Sequence, residues 1–122
     1  MIICIPTTDN GGIEASISPH FGRTAWFTFV NAFTGEVECL RNDERNHIHG
    51  ACVPTEEIVR RGVEGVLCRG IGRGASARLT AAGIPVYLTQ ERVTSSALEE
   101  LSCGRATLLD GTGACSESHG GC

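Results

Sequence analysis

Residues 63–88 alternate an apolar run, a glycine-rich loop, a helical segment and a second apolar run, and this alternation constrains the fold more than any other feature. The runs 63–68 and 84–88 each have the length of a buried strand. Between them, residues 75–82 predict a helix that ends at Gly83. A strand, a helix and a second strand in this order are typical of a βαβ unit with parallel strands.

Further elements flank this unit on both sides. Thr55 is a suitable N-cap for a helix that carries glutamates in its first turn and arginines in its last, and that ends at Gly62. Another helix passes through Leu98 and Leu101, and residues 106–109 have the composition of a short strand. The second half of the chain therefore predicts an α/β fold.

The first half has the pattern of strands alone. Residues 2–6 are apolar and end in a proline, which predicts an N-terminal strand. The aromatic and β-branched segment 25–31 and the alternating segment 37–41 are separated by a turn that contains Gly35. This arrangement predicts an antiparallel hairpin.

Length and composition predict one domain followed by a short tail. The chain has 122 residues, of which 41% are hydrophobic, enough for a single core that we assign to 1–110. Eight of the twelve residues in 111–122 are Gly, Ser, Thr or Ala, so we expect a flexible tail. No run approaches the roughly 18 to 20 apolar residues of a membrane span, and no basic leader precedes the first apolar run. We therefore expect a cytoplasmic protein with no membrane partner.

The charge balance argues against nucleic acid as a partner. Fourteen acidic and ten basic residues give a net charge of −4, whereas proteins that follow a phosphate backbone usually present a basic face. All ten basic residues are arginine, which excludes Schiff-base chemistry and a phosphate-binding lysine. Anion binding stays open because three arginines surround the glycine-rich loop at 70–74. The sequence leaves the oligomeric state open.

Two segments combine cysteine and histidine, the side chains that bind zinc, copper(I) and iron–sulfur species. Each segment offers three ligands, one fewer than a closed tetrahedral site needs. The candidate metal ligands are His47, His49 and Cys52 in the first segment and Cys115, His119 and Cys122 in the second. The alternative for the first is a polar loop that contains histidines incidentally, and for the second a tail with incidental thiols.

The remaining cysteines have a different setting. The chain has seven cysteines, an odd number that cannot pair completely, and in the cytoplasm we expect thiols. Four of them fall in or beside apolar segments and are predicted to be small buried hydrophobic residues: Cys4, Cys39, Cys68 and Cys103.

Four motifs occur in order along the chain and together resemble one known family. They are Ile5-Pro6, Ser18-Pro19-His20-Phe21-Gly22-Arg23, Gly70-Ile71-Gly72-Arg73-Gly74-Ala75 and Ala82-Gly83-Ile84-Pro85-Val86-Tyr87. Over roughly residues 1 to 105 the chain resembles the dinitrogenase iron–molybdenum cofactor biosynthesis family, whose members are similar to nitrogenase accessory factors. The resemblance implies a ribonuclease H-like three-layer α/β fold, with a mixed five-stranded sheet, one antiparallel edge hairpin and helices on both faces.

The resemblance also implies a function and a site. Members of the family carry the iron–molybdenum cofactor or related metal–sulfur clusters between assembly proteins, and a cluster-binding histidine is expected at His20. Pro19 and Gly22 hold this histidine on a constrained turn, although it could also bond only to a neighbouring carbonyl. The backbone amides of a loop before a helix favour anions. The candidate cofactor-binding residues are His20, Arg23, Gly72, Arg73 and Gly74.

Three functions follow as hypotheses. The first is a non-catalytic carrier of an iron–sulfur or molybdenum-containing cluster, with donor and acceptor proteins as partners; here the cluster docks near His20 while 115–122 closes over it. The second is a zinc- or copper-binding regulatory or storage protein that uses the two Cys/His segments. The third is a hydrolase, suggested by the implied fold. We reject it because none of the three aspartates falls in a predicted strand.

Overall fold

The computed structural model describes residues 1–42 and 53–109, which contain six strands and three α-helices. The strands are β1 (Ile2–Thr7), β2 (Trp26–Asn31), β3 (Val37–Arg41), β4 (Gly65–Cys68), β5 (Val86–Leu88) and β6 (Thr107–Leu109). The helices are α1 (Val53–Arg60), α2 (Arg73–Ala81) and α3 (Thr94–Ser102), and a short 3₁₀ helix covers Gly12–Glu14.

All six strands form one mixed sheet in the order β3-β2-β1-β4-β5-β6. β4 and β5 are parallel and α2 connects them, which confirms the predicted βαβ unit. β2 and β3 are antiparallel at one edge, which confirms the predicted hairpin. The turn glycine Gly35 has φ +79°, and the glycines after α1 and α2, Gly62 and Gly83, have φ +73° and +81°. These left-handed conformations favour glycine, so the predicted turn and helix ends are confirmed.

The five strands implied by the family resemblance are one too few, whereas the short strand indicated by the composition of 106–109 is confirmed as β6. The sheet has a sixth strand within the described residues, because β6 turns back and pairs antiparallel with β5, with Leu108 opposite Tyr87. A strand of three residues is too short to show periodicity, so its pairing partner decides whether it forms. The α/β class is confirmed, and the ribonuclease H-like label stays a prediction.

Two helices begin earlier than predicted. α1 begins at Val53, two residues before the expected cap Thr55. α2 begins at Arg73 and takes in Gly74, so that the loop after β4 covers only 69–72. The glycine-rich composition favoured a longer loop there, but helix starts are the least certain feature of a sequence pattern.

The core lies on both faces of the sheet. Side chains alternate along β1, so that Cys4 faces one side while Ile3 and Ile5 face the other. On the first side, α1 and α2 contribute Ile58 and Leu79 to the buried cluster. On the second side, α3 covers the sheet with Ala97. The sheet thus lies between two layers of helices, which confirms the predicted helices on both faces.

Some predictions concern regions beyond the described residues. The division into a domain at 1–110 and a tail at 111–122 stays a prediction, because 110–122 lie outside the described part. None of the helices in 1–42 and 53–109 has the length and apolar character that crossing a bilayer requires.

Candidate functional site

The candidate site lies at the carboxyl ends of the two central strands, β1 and β4. β1 leads to β2 on one side, and β4 leads through α2 to β5 on the other. Ligands of open α/β sheets bind in the crevice beyond strands whose connections diverge in this way. The segment 8–25, after β1, and the loop 69–72, after β4, form the walls of this crevice.

The turn that carries His20 is tied to the end of β1. The Ser18 amide donates to the Pro6 carbonyl oxygen at 2.9 Å. The His20 amide then donates to the Ser18 Oγ at 3.2 Å, which closes a tight serine turn around Pro19. The backbone of His20 is therefore fixed, while its side chain is exposed.

Phe21 anchors the same turn in the core. Its side chain is 2% exposed and meets the ring of Phe27 edge to face, with the ring centres 5.2 Å apart. Such aromatic pairs contribute roughly 0.5–1.5 kcal/mol beyond the area that they bury. The buried Phe21 holds the segment on the sheet, and the neighbouring His20 stays at the surface.

The end of β3 supports the other side of the turn. Asn42 Nδ2 donates to the carbonyl oxygens of Gly22, at 3.2 Å, and Thr24, at 2.8 Å. The Thr24 hydroxyl donates in turn to the Thr7 carbonyl oxygen at 2.6 Å. These bonds connect the turn to both β1 and β3, so the position of His20 is set by three separate segments.

The two walls of the crevice touch at Gly70. A Cβ atom on this glycine would lie 2.8 Å from the carbonyl oxygen of Pro19, closer than real Cβ contacts allow. A cavity of about 470 Å³ lies between the walls, within the range typical of ligand pockets. Its lining residues are Pro19, His20, Phe21, Gly22, Arg23, Gly70, Ile71, Gly72 and Ala75.

The cavity brings together three of the five predicted cofactor-binding residues, His20, Arg23 and Gly72. Arg73 and Gly74 do not line it, because they form the exposed first turn of α2. The cofactor-binding role of all five stays a prediction. Sequence reasoning missed the apolar lining by Ile71 and Ala75. Their position in the glycine-rich motif is the signal that could have found them.

One arginine lines the cavity, and two others flank its loop in the sequence. Arg23 lines it, and Arg69 and Arg73 stand at the two ends of the loop between β4 and α2. The first turn of α2 holds no acidic residue and no side chain caps it, so its amides leave partial positive charge at this end. No carboxylate occurs among the described residues that line the cavity. An anion is therefore the favoured occupant.

Among the described residues that line the cavity, one side chain, the imidazole of His20, is a common metal ligand. Within 1–42 and 53–109, no group of three His, Cys, Asp or Glu side chains is arranged to hold a metal ion. A bare ion in a closed site needs about four ligands. His20 alone suits a single bond to a cluster that brings its own ligands.

Two thiols lie beneath the site in the sheet. Burial raises the pKa of the Cys68 thiol to about 12, although a hydrogen bond from the Gly70 backbone acts in the opposite direction. Burial, with a smaller contribution from Cys68, also raises the pKa of the Cys4 thiol well above its usual value. Both thiols are buried, which confirms the prediction that they are small buried hydrophobic residues. Their raised pKa keeps them protonated at neutral pH. Cys39 is only half-buried, so the prediction of burial is not confirmed for it, and Cys103 is exposed, so there the prediction is wrong. Cys103 is the C-cap residue of α3.

The six other candidate metal ligands lie outside the described residues: His47, His49, Cys52, Cys115, His119 and Cys122. The chain reaches the first segment from Asn42, which contacts the turn of His20 as described above. It reaches the second from Leu109, which pairs with Val86 at the start of β5, at the opposite end of the sheet.

Three relatives share the sequence or the fold. An uncharacterised protein of Methanocaldococcus jannaschii is 32% identical over 91 residues, which cover 71% of this chain and 73% of that protein. A Thermotoga protein solved by NMR and described as a NifB candidate has a TM-score of 0.76 and 26% identity, over 98% of both chains. The apo orange protein of Desulfovibrio gigas has the same fold, with a TM-score of 0.71, 23% identity and coverage of 86% and 89%.

The family assignment rests on most of the chain. Residues 1–104 match the sequence model of the family described as dinitrogenase iron-molybdenum cofactor. The match includes both walls of the cavity, the segment with His20 and the loop with Gly70. It confirms the resemblance found in the sequence motifs, and the chain belongs to the dinitrogenase iron-molybdenum cofactor family.

Proposed function

We propose that this protein is a non-catalytic carrier, which binds an iron–sulfur or molybdenum-containing metal–sulfur cluster and passes it from a donor protein to an acceptor protein. The observation that carries this proposal is the exposed imidazole of His20, on a turn fixed by hydrogen bonds, at the edge of a cavity with positive surroundings. A cytoplasmic location, where thiols stay reduced, is part of the proposal.

The chemistry of the cavity suits an anionic cluster. Metal–sulfur clusters with sulfide and thiolate ligands usually carry negative charge. Arg23 and the start of α2 offset this charge, while His20 supplies one nitrogen ligand to a metal of the cluster. At the same helix start Gly72 lines the cavity, and the backbone amides of Arg73 and Gly74 add partial positive charge beside it.

The same features favour release. A closed cage of four protein ligands retains its metal, whereas one imidazole in an open cavity leaves the cluster accessible to an acceptor. The described lining of the cavity contains no carboxylate that could act with His20 as a general acid or base, and a carrier needs neither. We therefore propose transfer without catalysis.

The proposal is tested by anaerobic reconstitution of the full chain. One sample receives iron and sulfide and another receives tetrathiomolybdate; each is desalted, and its visible absorption and metal content are measured. We expect bound, coloured cluster in at least one sample. Colourless, metal-free protein after both treatments would overturn the proposal.

A variant identifies the site. His20→Ala should lower retention about tenfold or more, because it removes the protein ligand, without changing the melting temperature of the apo protein, since the side chain is exposed. Arg60→Ala is the control, because Arg60 is exposed on α1 and does not line the cavity. Equal retention in His20→Ala and in the unchanged protein would exclude His20 as the ligand.

The alternative, a zinc- or copper-binding protein, depends on the two Cys/His segments. Deletion of 111–122 tests its tail-centred form, which predicts stoichiometric Zn²⁺ or Cu(I) uptake that disappears with the tail. The same deletion tests whether the tail closes over the cluster. If it does, removing 111–122 should lower cluster retention at His20. Zn²⁺ uptake that survives the deletion would exclude the tail as the zinc site.

A further inference from the structure

A second cavity, of about 690 Å³, lies at the opposite end of the molecule, between α3 and the sheet. We call it the α3 groove. Its walls are mostly apolar and include Ile3, Val30, Tyr87, Leu98, Leu101 and Ala106. All six of these residues belong to or pack against the buried cluster on this side of the sheet, so among the described residues the groove is an open extension of the core.

An exposed aromatic side chain stands beside this groove. Phe33 is 85% exposed on the turn of the β2–β3 hairpin, and its neighbours on that turn, Ala32 and Gly35, line the groove. Met1, at the groove, and Leu108, opposite Tyr87 on β6, are 42% and 51% exposed. Large apolar side chains exposed beside an apolar groove usually mark an interaction site.

We propose that the α3 groove is a self-association surface, in which Phe33 of each copy inserts into the groove of the other. A two-fold contact uses the same surface on both partners. That surface must therefore carry both the side chain that inserts and the groove that receives it. This chain carries both side by side. A second copy of this chain would use both features at once, the exposed ring and the groove that receives it.

The charges at the edge of the groove support the same occupant. Glu99 lines the groove, and Arg105 lies exposed between two lining residues, Gly104 and Ala106. In a two-fold contact, the acidic edge of one copy can face the basic edge of the other, so that both pairs are attractive. The surface is smaller than the roughly 20 to 30 residues per side of a standard interface, so we expect a weak dimer that forms reversibly.

This contact would leave both cluster sites open. The groove is at the amino end of β1, where Met1 and Ile3 line it, whereas the His20 cavity is at the carboxyl end. The six residues of β1 span about 20 Å between these ends. The dimer is therefore independent of the proposed function and can be tested on the apo protein.

Sedimentation velocity on the untagged, reduced chain, from roughly 10 μM to 1 mM, is the test. We expect the average mass to rise from monomer toward dimer. Phe33→Asp should weaken association about tenfold or more, because it removes the inserted ring. Val59→Asp is the matched control: it adds the same charge at a 48% exposed position on α1, on the other face, and should associate like the unchanged protein.

A charge exchange tests the two-fold arrangement. Glu99→Arg and Arg105→Glu should each weaken association, and the double variant should restore it, because opposite charges then face each other again. An unchanged protein that stays monomeric over the whole range, or a Phe33→Asp variant that associates normally, would overturn the proposal. Failure of the double variant to recover would overturn the two-fold geometry.

Discussion

Gly70 approaches Pro19 so closely that a Cβ atom on the glycine would stand 2.8 Å from the proline carbonyl oxygen. The two loops that form the candidate site therefore meet backbone to backbone. Gly70 has no left-handed φ, so the requirement for glycine at this position is one of space. This contact fixes the distance between the His20 turn and the start of α2, and hence the width of the cavity.

Gly70→Ala should destabilise the protein by roughly 1–3 kcal/mol, because one loop must move away from the other. The movement should also weaken cluster retention. Gly72→Ala is the control, since a Cβ atom there meets nothing within 4 Å and φ is −75°. Urea unfolding of the two variants measures the difference in the free energy of unfolding. Equal stabilities would show that the loops separate at no cost.

The role of Arg23 in cluster binding can be recognised by its salt dependence. Arg23→Gln should speed cluster release severalfold at low ionic strength, because it removes a positive charge beside the cavity. The difference should shrink toward 1 M salt, where the screening length falls to about 3 Å. Release rates are measured from the loss of visible absorption after adding a chelator. Arg60→Gln should show no difference at any salt concentration, and a salt-independent effect of Arg23→Gln would argue for lost packing instead.

Arg61 connects α1 to the edge hairpin. Its guanidinium donates to Glu57 and Glu38, each at 2.8 Å, and stacks 4.6 Å from the centre of the Phe29 ring. Its side chain is only 24% exposed, so these contacts are partly shielded from solvent. The arrangement combines two ion pairs with a cation–π contact.

Arg61→Ala should therefore lower the free energy of unfolding by about 1–2 kcal/mol. Arg61→Lys should fall between, because lysine keeps the charge but not the planar fork. Arg60→Ala, which loses one 3.6 Å ion pair from a side chain that is 75% exposed, should cost less than about 0.5 kcal/mol. Thermal melting compares the three, and equal losses for Arg60 and Arg61 would contradict this account.

The buried thiols predict loss of stability at alkaline pH. Burial raises the pKa of Cys68 from 9.0 to about 12 in the folded protein, and that of Cys4 shifts in the same direction. Below pH 9 both folded and unfolded states keep these protons, so stability does not depend on them. Above pH 9 only the unfolded chain releases them, and each thiol lowers stability by about 1.4 kcal/mol per pH unit until the folded-state pKa is reached.

Urea unfolding between pH 8 and pH 11 measures this slope. Cys68→Ala should reduce the slope, because one titrating group is gone. Val66→Ala, a truncation in the same strand, should lower stability at every pH without changing the slope, which separates packing from titration. An unchanged slope in Cys68→Ala would mean that other groups cause the alkaline loss.

Local signals explain which elements could be predicted. The βαβ unit around α2 and the hairpin at Gly35 follow from apolar runs, helix-ending glycines and turn residues that act within a few neighbours. The turn that holds His20 is also local, since Ser18 and Pro19 lie within two residues of it. For this reason the sequence located the His20 wall of the cavity and the loop opposite it.

What only the tertiary structure decided involves residues distant in sequence. Composition indicates a short strand at 106–109, but the antiparallel pairing of β6 with the edge of β5 depends on where the chain returns to the sheet. Gly70 meets Pro19 across 51 positions of the chain because β1 and β4 are neighbours in the sheet. The order of the strands also brings the hairpin turn that carries Phe33 next to α3, since residues of both line the same groove. The sequence by itself determined most of the elements and the family, because local propensity and motifs carry both. The width of the cavity and the position of Phe33 beside the α3 groove depend on strand order, which only packing of the whole sheet establishes.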